Sequence, residues 1–407
     1  MNNSTHNIKA KTPVVVICPG FHGHGIARSL GRLGIPVYGV HGSKKSPTAS
    51  SRYWKENFFW DLKNEASSES VKWLMNLANH FDQKPILIPT DDLSGIFVDD
   101  YTEILSHSYI FPIRPTGLSR SLSNKEQLYH LCKKIGIPTP ETAFPKSRKD
   151  VEDFISNSAF PVVLKGSDTE ALQRRTGIKM LIIEDAETLL EKYLALNDPN
   201  EPGLMIQEFI PGGPEDVWMF NGYFDENSDC HFAITGRKLR QYPAYTGLTC
   251  LGICAENKAV SDLTKTFMKK IGYTGVLDIG YKYDARSGNY YLLDPNPRVG
   301  ASFRLFVDSN GTDVVRALYR DLTGQKIPAG ELQEGRKWMV EPFDMVSSLR
   351  YWRDGKLRFR EWLKSFRGVE EAQWFASDDL RPFGAVWLRS LQWAAGNNPK
   401  KMTKVEQ

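Results

Sequence analysis

The stretch Gly275–Ser302, GVLDIGYKYDARSGNYYLLDPNPRVGAS, predicts a β-hairpin. Val276–Tyr283 and Tyr290–Asp294 are rich in β-branched and aromatic residues, and Ala285–Asn289 supplies a turn between them. Alternation along each strand separates two faces. One carries Leu277, Ile279, Tyr281, Tyr283, Tyr291 and Leu293, an apolar surface to bury. The other gathers Asp278, Asp294 and Asn296 at the open end, with Asp278 opposite Asn296. Acids are depleted in strand interiors, so two carboxylates and an amide converging there ask for a partner. Oxygen ligands on a sheet suit Mg²⁺, which is typically held by one or two carboxylates plus substrate phosphates. The competing reading is that nearby Arg or Lys side chains neutralise the acids.

Bulk properties narrow the field. A chain of 407 residues exceeds what one hydrophobic core usually serves, so several domains are expected. A net charge of +4 is too slight at this length to argue for nucleic acid, and it is compatible with an anionic small-molecule substrate. Cys18, Cys132, Cys230, Cys250 and Cys254 form an odd set without the spacing of a zinc site, and read as reduced thiols of a cytoplasmic protein. The polar start MNNSTHNIKAKTP does not read as a signal peptide, and no apolar run is long enough to cross a bilayer.

Along the chain, Pro13–Cys18 is a continuous apolar run of the kind buried on both faces of a parallel sheet. A glycine-rich loop, Pro19–Gly25, a helix, Ile26–Leu33, and a strand, Ile35–Val40, complete a βαβ start whose helix N-terminus can meet an anion. Gly20, Gly23 and Gly25 do not make the dinucleotide fingerprint, so NAD is disfavoured. His22 and His24 lack a third ligand and read as solvent-facing. The strand Lys84–Pro89 ends in Thr90-Asp91-Asp92, at the edge where open α/β sheets place ligands.

Ser123–Glu126 reads as a capping box for a helix with Leu128, Leu131 and Ile135 on its apolar face. Lys125 falls in its first turn, where the dipole disfavours a cation; solvent or an approaching anion would explain it. A smaller α+β unit follows, with strands Phe160–Lys165, Lys179–Ile183 and Leu204–Ile210, a helix Ala186–Leu196 and a polar loop Gly166–Gly177. Strands Val217–Tyr223 and His231–Thr235, a basic cluster Gly236–Pro243 and helices Ala259–Ile271 and Thr312–Leu322 come next. The tail, Lys337–Gln407, is rich in Trp and Arg. Its helix Phe383–Ala395, with Trp387, Leu388, Leu391 and Ala395 on one side, is expected to dock on the body rather than on a membrane surface or a partner.

In their order and spacing, Lys125, Lys165, Glu208, Glu215, Asp278, Asp294 and Asn296 resemble the ATP-grasp superfamily, in particular its carboxylate–amine ligases. The resemblance covers about Val14–Gly324, and GRKLRQYP with LLDPNPRVGAS is most similar to D-aspartate ligase-like carboligases. It implies an α/β and α+β architecture in four parts. These are a Rossmann-like pre-ATP-grasp domain at 1–116, a small lid subdomain with its linker helix at 117–206, a large subdomain with the metal site at 207–325 and an extension at 326–407.

The resemblance also implies roles. Lys125, Lys165 and Lys179 would meet the nucleotide, and Gln207, Glu208, Phe209 and Ile210 would form the hinge that reads adenine. Glu215 would accept the ribose hydroxyls, and Asp278, Asp294 and Asn296 would hold Mg²⁺ (or Mn²⁺) against the phosphates of ATP. Arg298 would face the transferred phosphoryl, with Arg237, Lys238, Arg240 and Ser302 around the substrate carboxylate. The implied reaction is ATP-dependent joining of a carboxylate to an amine through an acyl phosphate. Alternatives are a non-amine acceptor, or a non-catalytic nucleotide-binding scaffold with a partner- or membrane-binding tail. Many relatives are dimers. One departure stands out: the lid segment Gly166–Gly177 is not glycine-rich and offers Arg174 and Arg175 instead.

Overall fold

The computed structural model describes residues 11–17, 20, 23–198 and 203–394, without the side chains of residues 170 and 391–394. The chain divides into two units: Met1–Ser119, Pro214–Gly280 and Pro295–Gln407 form the larger, Arg120–Gly213 and Tyr281–Asp294 the smaller.

The larger unit begins with a parallel sheet of β1 (Val14–Ile17), β2 (Val37–His41), β3 (Trp54–Phe59) and β4 (Ile86–Pro89), in the order β3-β2-β1-β4. The run Val-Val-Val-Ile is apolar throughout because both of its faces are covered. Val14 and Val16 join a core with Ile26, Leu30 and Phe303, while Val15 and Ile17 join another with Leu74, Phe97 and Tyr109. Strand β3 was not expected: Lys55-Glu56-Asn57 breaks its apolar pattern, which an edge strand tolerates. The helix after β1 spans Gly23–Gly31, and its His24 is fully buried rather than solvent-facing. The His24 ring stacks on Trp374 at 4.7 Å, with Nε2 2.7 Å from the Gln373 carbonyl. His22 and Cys18 lie outside the described residues. Asp91 caps the helix Asp92–Asp100 by accepting from the Ser94 N–H at 2.8 Å, which sets Asp92 at its first position beyond β4.

The smaller unit holds an antiparallel sheet of β5 (Thr142–Ala143), β6 (Val162–Gly166), β7 (Met180–Ile183) and β8 (Leu204–Glu208), in the order β5-β8-β6-β7. Val162, Leu164, Ile206, Leu189 and Tyr193 form its core. The helix Lys125–Ile135 is capped by Asn124, one residue later than the expected box, through a bond from the Gln127 N–H. The segment expected as a polar loop contains a helix, Thr169–Thr176. Asp168 caps it, Gly177 ends it at φ 76°, and Leu172 packs into the core. Ala, Leu, Gln and Arg are all good helix formers, so local propensity and capping agree.

The third sheet contains β9 (Val217–Phe224), β10 (Cys230–Tyr242), β11 (Leu248–Cys254), β12 (Gly275–Asp284), β13 (Asn289–Asn296), β14 (Lys337–Met339) and β15 (Val369–Ala372). Their order is β13-β12-β9-β10-β11-β14-β15. β12 and β13 are the expected hairpin, with a shorter turn in which the Gly288 N–H donates to the Asp284 carbonyl at 2.8 Å and Gly288 takes φ 71°. Leu277, Ile279 and Tyr281 are buried as expected, but on β13 Leu292 is buried and Leu293 is 41% exposed.

β10 runs on through the basic stretch, which was not expected to be strand. β14 and β15 make the tail part of the sheet, and Arg28 ties it to the first helix through Asp379 and the carbonyls of Gln373 and Trp374 at 2.7–2.8 Å. That agrees with a tail docked on the body; Ala395 of its last helix lies outside the described residues. Cys132, Cys230, Cys250 and Cys254 are free thiols. Among the described residues no helix is long and apolar enough to cross a membrane.

Candidate functional site

In the smaller unit, Lys165 stands near the end of β6, where its Nζ donates to Gln207 Oε1 at 2.8 Å. Gln207 in turn donates to Thr142 Oγ1 at 3.0 Å, so the amide of β8 is held in one orientation. Burial and the neighbouring Lys125 push the Lys165 ammonium down to about 7, against an upward pull from Asp294. Two lysines and one carboxylate therefore share a field, and a polyanion is the partner that relieves the lysines' repulsion. Lys125 Nζ also reaches Thr169 Oγ1 at 3.4 Å. Glu208 pairs with Arg286 at 3.1 Å, an arginine of the hairpin turn that sequence reasoning did not single out. Phe209 is half-buried and Ile210 buried directly after β8, and Lys179 is half-buried just before β7.

In the larger unit, Asp278 lies on β12 beside β9, whose Asn221 donates to Asp278 Oδ1 at 3.5 Å. Asn221 is fully buried and its Oδ1 has no hydrogen-bond partner among the described residues. A buried carbonyl oxygen left so costs free energy unless a ligand or water donates to it. Sequence reasoning missed Asn221, which has no motif spacing of its own. Gly300 supports the same carboxylate: a Cβ there would overlap Asp278. Asp294, the last residue of the smaller unit's hairpin segment, and Asn296, of the larger unit, lie two apart on β13, hence on one face of it. Asn296 Oδ1 accepts from Arg298 Nη2 at 2.9 Å, and Arg298 Nε donates to Asp92 at 2.8 Å. Asp92, just beyond the end of β4, is thus ion-paired with Arg298. Glu215 is exposed in a short turn, Pro214–Asp216, and Ser302 is buried.

The basic cluster does not gather as expected. Arg240 is 5% exposed, and its fork is filled by Asp344, with Nε–Oδ1 at 2.6 Å and Nη2–Oδ2 at 2.9 Å, which leaves no bidentate face for a substrate. Arg237 pairs with Trp218 across β9 and β10, whereas Asn221 pairs with Ile234. Three steps along a regular ladder put Arg237 on the opposite face from Asn221. Lys238 shares the Asn221 face, its Nζ 3.1 Å from the Gly247 carbonyl.

No protein-family model matches the chain. It is 28% identical over 278 residues to the D-aspartate ligase of Enterococcus faecium (strain Aus0004), which covers 64% of this chain and 65% of that protein. The chain thus spans just under two thirds of that relative's length. Among solved structures, the N5-carboxyaminoimidazole synthetase from Staphylococcus aureus complexed with ADP matches with a TM-score of 0.63 at 13% identity, over 86% of this chain and 88% of that one. The L-amino acid ligase from Bacillus licheniformis matches with a TM-score of 0.61 at 16% identity, over 81% and 79%. The chain has the ATP-grasp fold. Asp278 lies on β12, and Asp294 and Asn296 lie on β13.

Proposed function

We propose that this ATP-grasp chain is an ATP-dependent ligase that joins the carboxylate of an amino-acid-type substrate to an amine, releasing ADP and phosphate. The observation that carries this reading is the donor set of the hairpin. Asp278, Asp294 and Asn296 offer the oxygen ligands Mg²⁺ prefers, and the orphaned Asn221 Oδ1 beside Asp278 is suited to accept from a metal-bound water. Bound there, Mg²⁺ would neutralise charge on the ATP phosphates. The sequence similarity to a D-aspartate ligase supports amino-acid substrates, and free thiols fit a cytoplasmic setting.

Phosphoryl transfer needs alignment and charge neutralisation more than covalent help. Lys125, Lys165 and Lys179 would hold the nucleotide, with Gln207, Glu208, Phe209, Ile210 and Glu215 around adenine and ribose. A carboxylate oxygen of the substrate attacks the γ-phosphorus as the bond to ADP breaks. Arg298 orients the transferred group and, with Lys238 and Ser302, the carboxylate. The amine nitrogen then attacks the acyl carbon, phosphate leaves, and the nitrogen gives up a proton. A screen of amino acids and carboxylic acids in pairs, including D-aspartate, tests this by ADP release and product mass. An amide heavier than the acid by the amine less water is expected; ADP release with no such product in any pair overturns it.

Two further outcomes follow from the geometry. Gly300→Ala is expected to raise the Mg²⁺ concentration needed for half-maximal ADP release by about tenfold, because the added Cβ pushes the Asp278 carboxylate aside; a Mg²⁺ titration of ADP release reads it. Asp92→Ala leaves Arg298, among the described residues, bonded to Asn296 and Val299, and is expected to lower kcat by about threefold to tenfold with little change in the KM for ATP.

A further inference from the structure

The helix Glu341–Arg353 is built inside out. Its buried residues are polar: Asp344 takes both arms of Arg240, Ser347 donates to the Gln241 carbonyl at 2.6 Å, and Tyr351 Oη accepts from the Tyr245 N–H at 3.1 Å. Its outward residues include an apolar stripe, Met345 53%, Leu349 46% and Trp352 58% exposed, flanked by the exposed Arg350 and Arg353. A surface helix ordinarily shows the reverse. The following helix, Phe359–Ser365, buries none of its residues and leaves Phe359 64% and Leu363 50% exposed. Met345, Leu349, Trp352, Leu357, Phe359 and Trp362 together line a groove of about 270 Å³. A continuous exposed apolar patch of this kind marks a contact surface.

The charge around it states what it contacts. Between Arg350 and Arg367 there are seven Lys and Arg residues but only two acids, Asp354 and Glu361, and these are already paired with Arg350 and Arg358. Self-association through a two-fold axis would set this positive face against itself. We propose that the face lies on an anionic lipid bilayer. The apolar side chains of both helices enter the headgroup–acyl boundary, and Arg353, Lys356, Arg360 and Lys364 stay at the phosphate level. Trp352, 58% exposed, suits that boundary. A bilayer fits better than an acidic protein because the cations are spread along two helices and their connection. A fluid headgroup layer demands only sign and depth, whereas a protein partner demands matched geometry.

Flotation of the full chain with vesicles of phosphatidylcholine, with and without phosphatidylglycerol, tests the proposal. Binding to the anionic vesicles alone, weakened by high salt, is expected. Trp352→Ser with Phe359→Ser, and separately Arg353→Glu with Lys356→Glu, should each lower the bound fraction by about tenfold or more. All four residues are exposed, so the thermal midpoint should not move. No flotation, or flotation that neither pair of substitutions changes, overturns the proposal. So does a dimer in light scattering that the Trp352→Ser with Phe359→Ser chain loses.

Discussion

Asp294→Ala or Asn296→Ala is expected to lower substrate-dependent ADP release by about 10²–10³-fold, the scale on which loss of one preorganised electrostatic contact acts. Asp294 is exposed and Asn296 half-buried, so neither holds the fold and the thermal midpoint should stay put. Asn296 has a second task, since its Oδ1 accepts from Arg298 at 2.9 Å. Removing it therefore loosens the arginine as well as the proposed metal. The double variant should be little worse than either single one, because the residues act as a unit. ADP release near the parent rate in either single variant would contradict the assignment.

The second large effect is at Lys165. Its ammonium sits at about 7 because burial and Lys125 disfavour the charge. Nucleotide phosphate would favour the charged form, so ADP binding should take up a proton. Affinity is then flat below about pH 7 and falls by up to about tenfold per pH unit above it, until the pKa of the bound state is passed. Lys165→Met should weaken ADP by about 10–100-fold, the worth of a charge-assisted contact, and abolish that slope. For stability the sign is opposite. A lysine whose folded pKa is lowered is protonated more readily in the unfolded chain. Its destabilising effect is full below about 7 and fades as pH rises toward the unfolded value near 10.4. Lys165→Met should therefore raise the midpoint of the ligand-free protein at pH 7, a trade of stability against function. Calorimetric titration of ADP in buffers of different ionisation enthalpy, with thermal melts alongside, reads both signs.

What could be read without coordinates follows from how local the signal is. Val14–Ile17 and the hairpin declare themselves, because period and composition are properties of a few consecutive residues. The helix Thr169–Thr176 was equally local, with Asp168 and Gly177 at its ends, and was missed because its charges suggested a loop. Arg240 was misread for the opposite reason. Its partner Asp344 lies 104 residues on, and without that pair a buried arginine in a strand looks like a substrate clamp. Arg237 was grouped with Lys238 and Arg240, and only the ladder register shows that it faces away from Asn221. Asn221 offered no pattern, since its meaning lies in its neighbour Asp278 on another strand. The reversed burial of Glu341–Arg353 was hidden likewise, because the Asp344 and Ser347 it buries find their partners on β10.

The most direct test of the metal assignment is Mn²⁺ paramagnetic resonance on the ligand-free chain titrated with ADP. One Mn²⁺ per chain should become bound only when ADP is present, and Asp278→Asn or Asp294→Asn should abolish that binding. Mn²⁺ that ADP does not recruit, or that both variants hold as tightly as the parent chain, would contradict it.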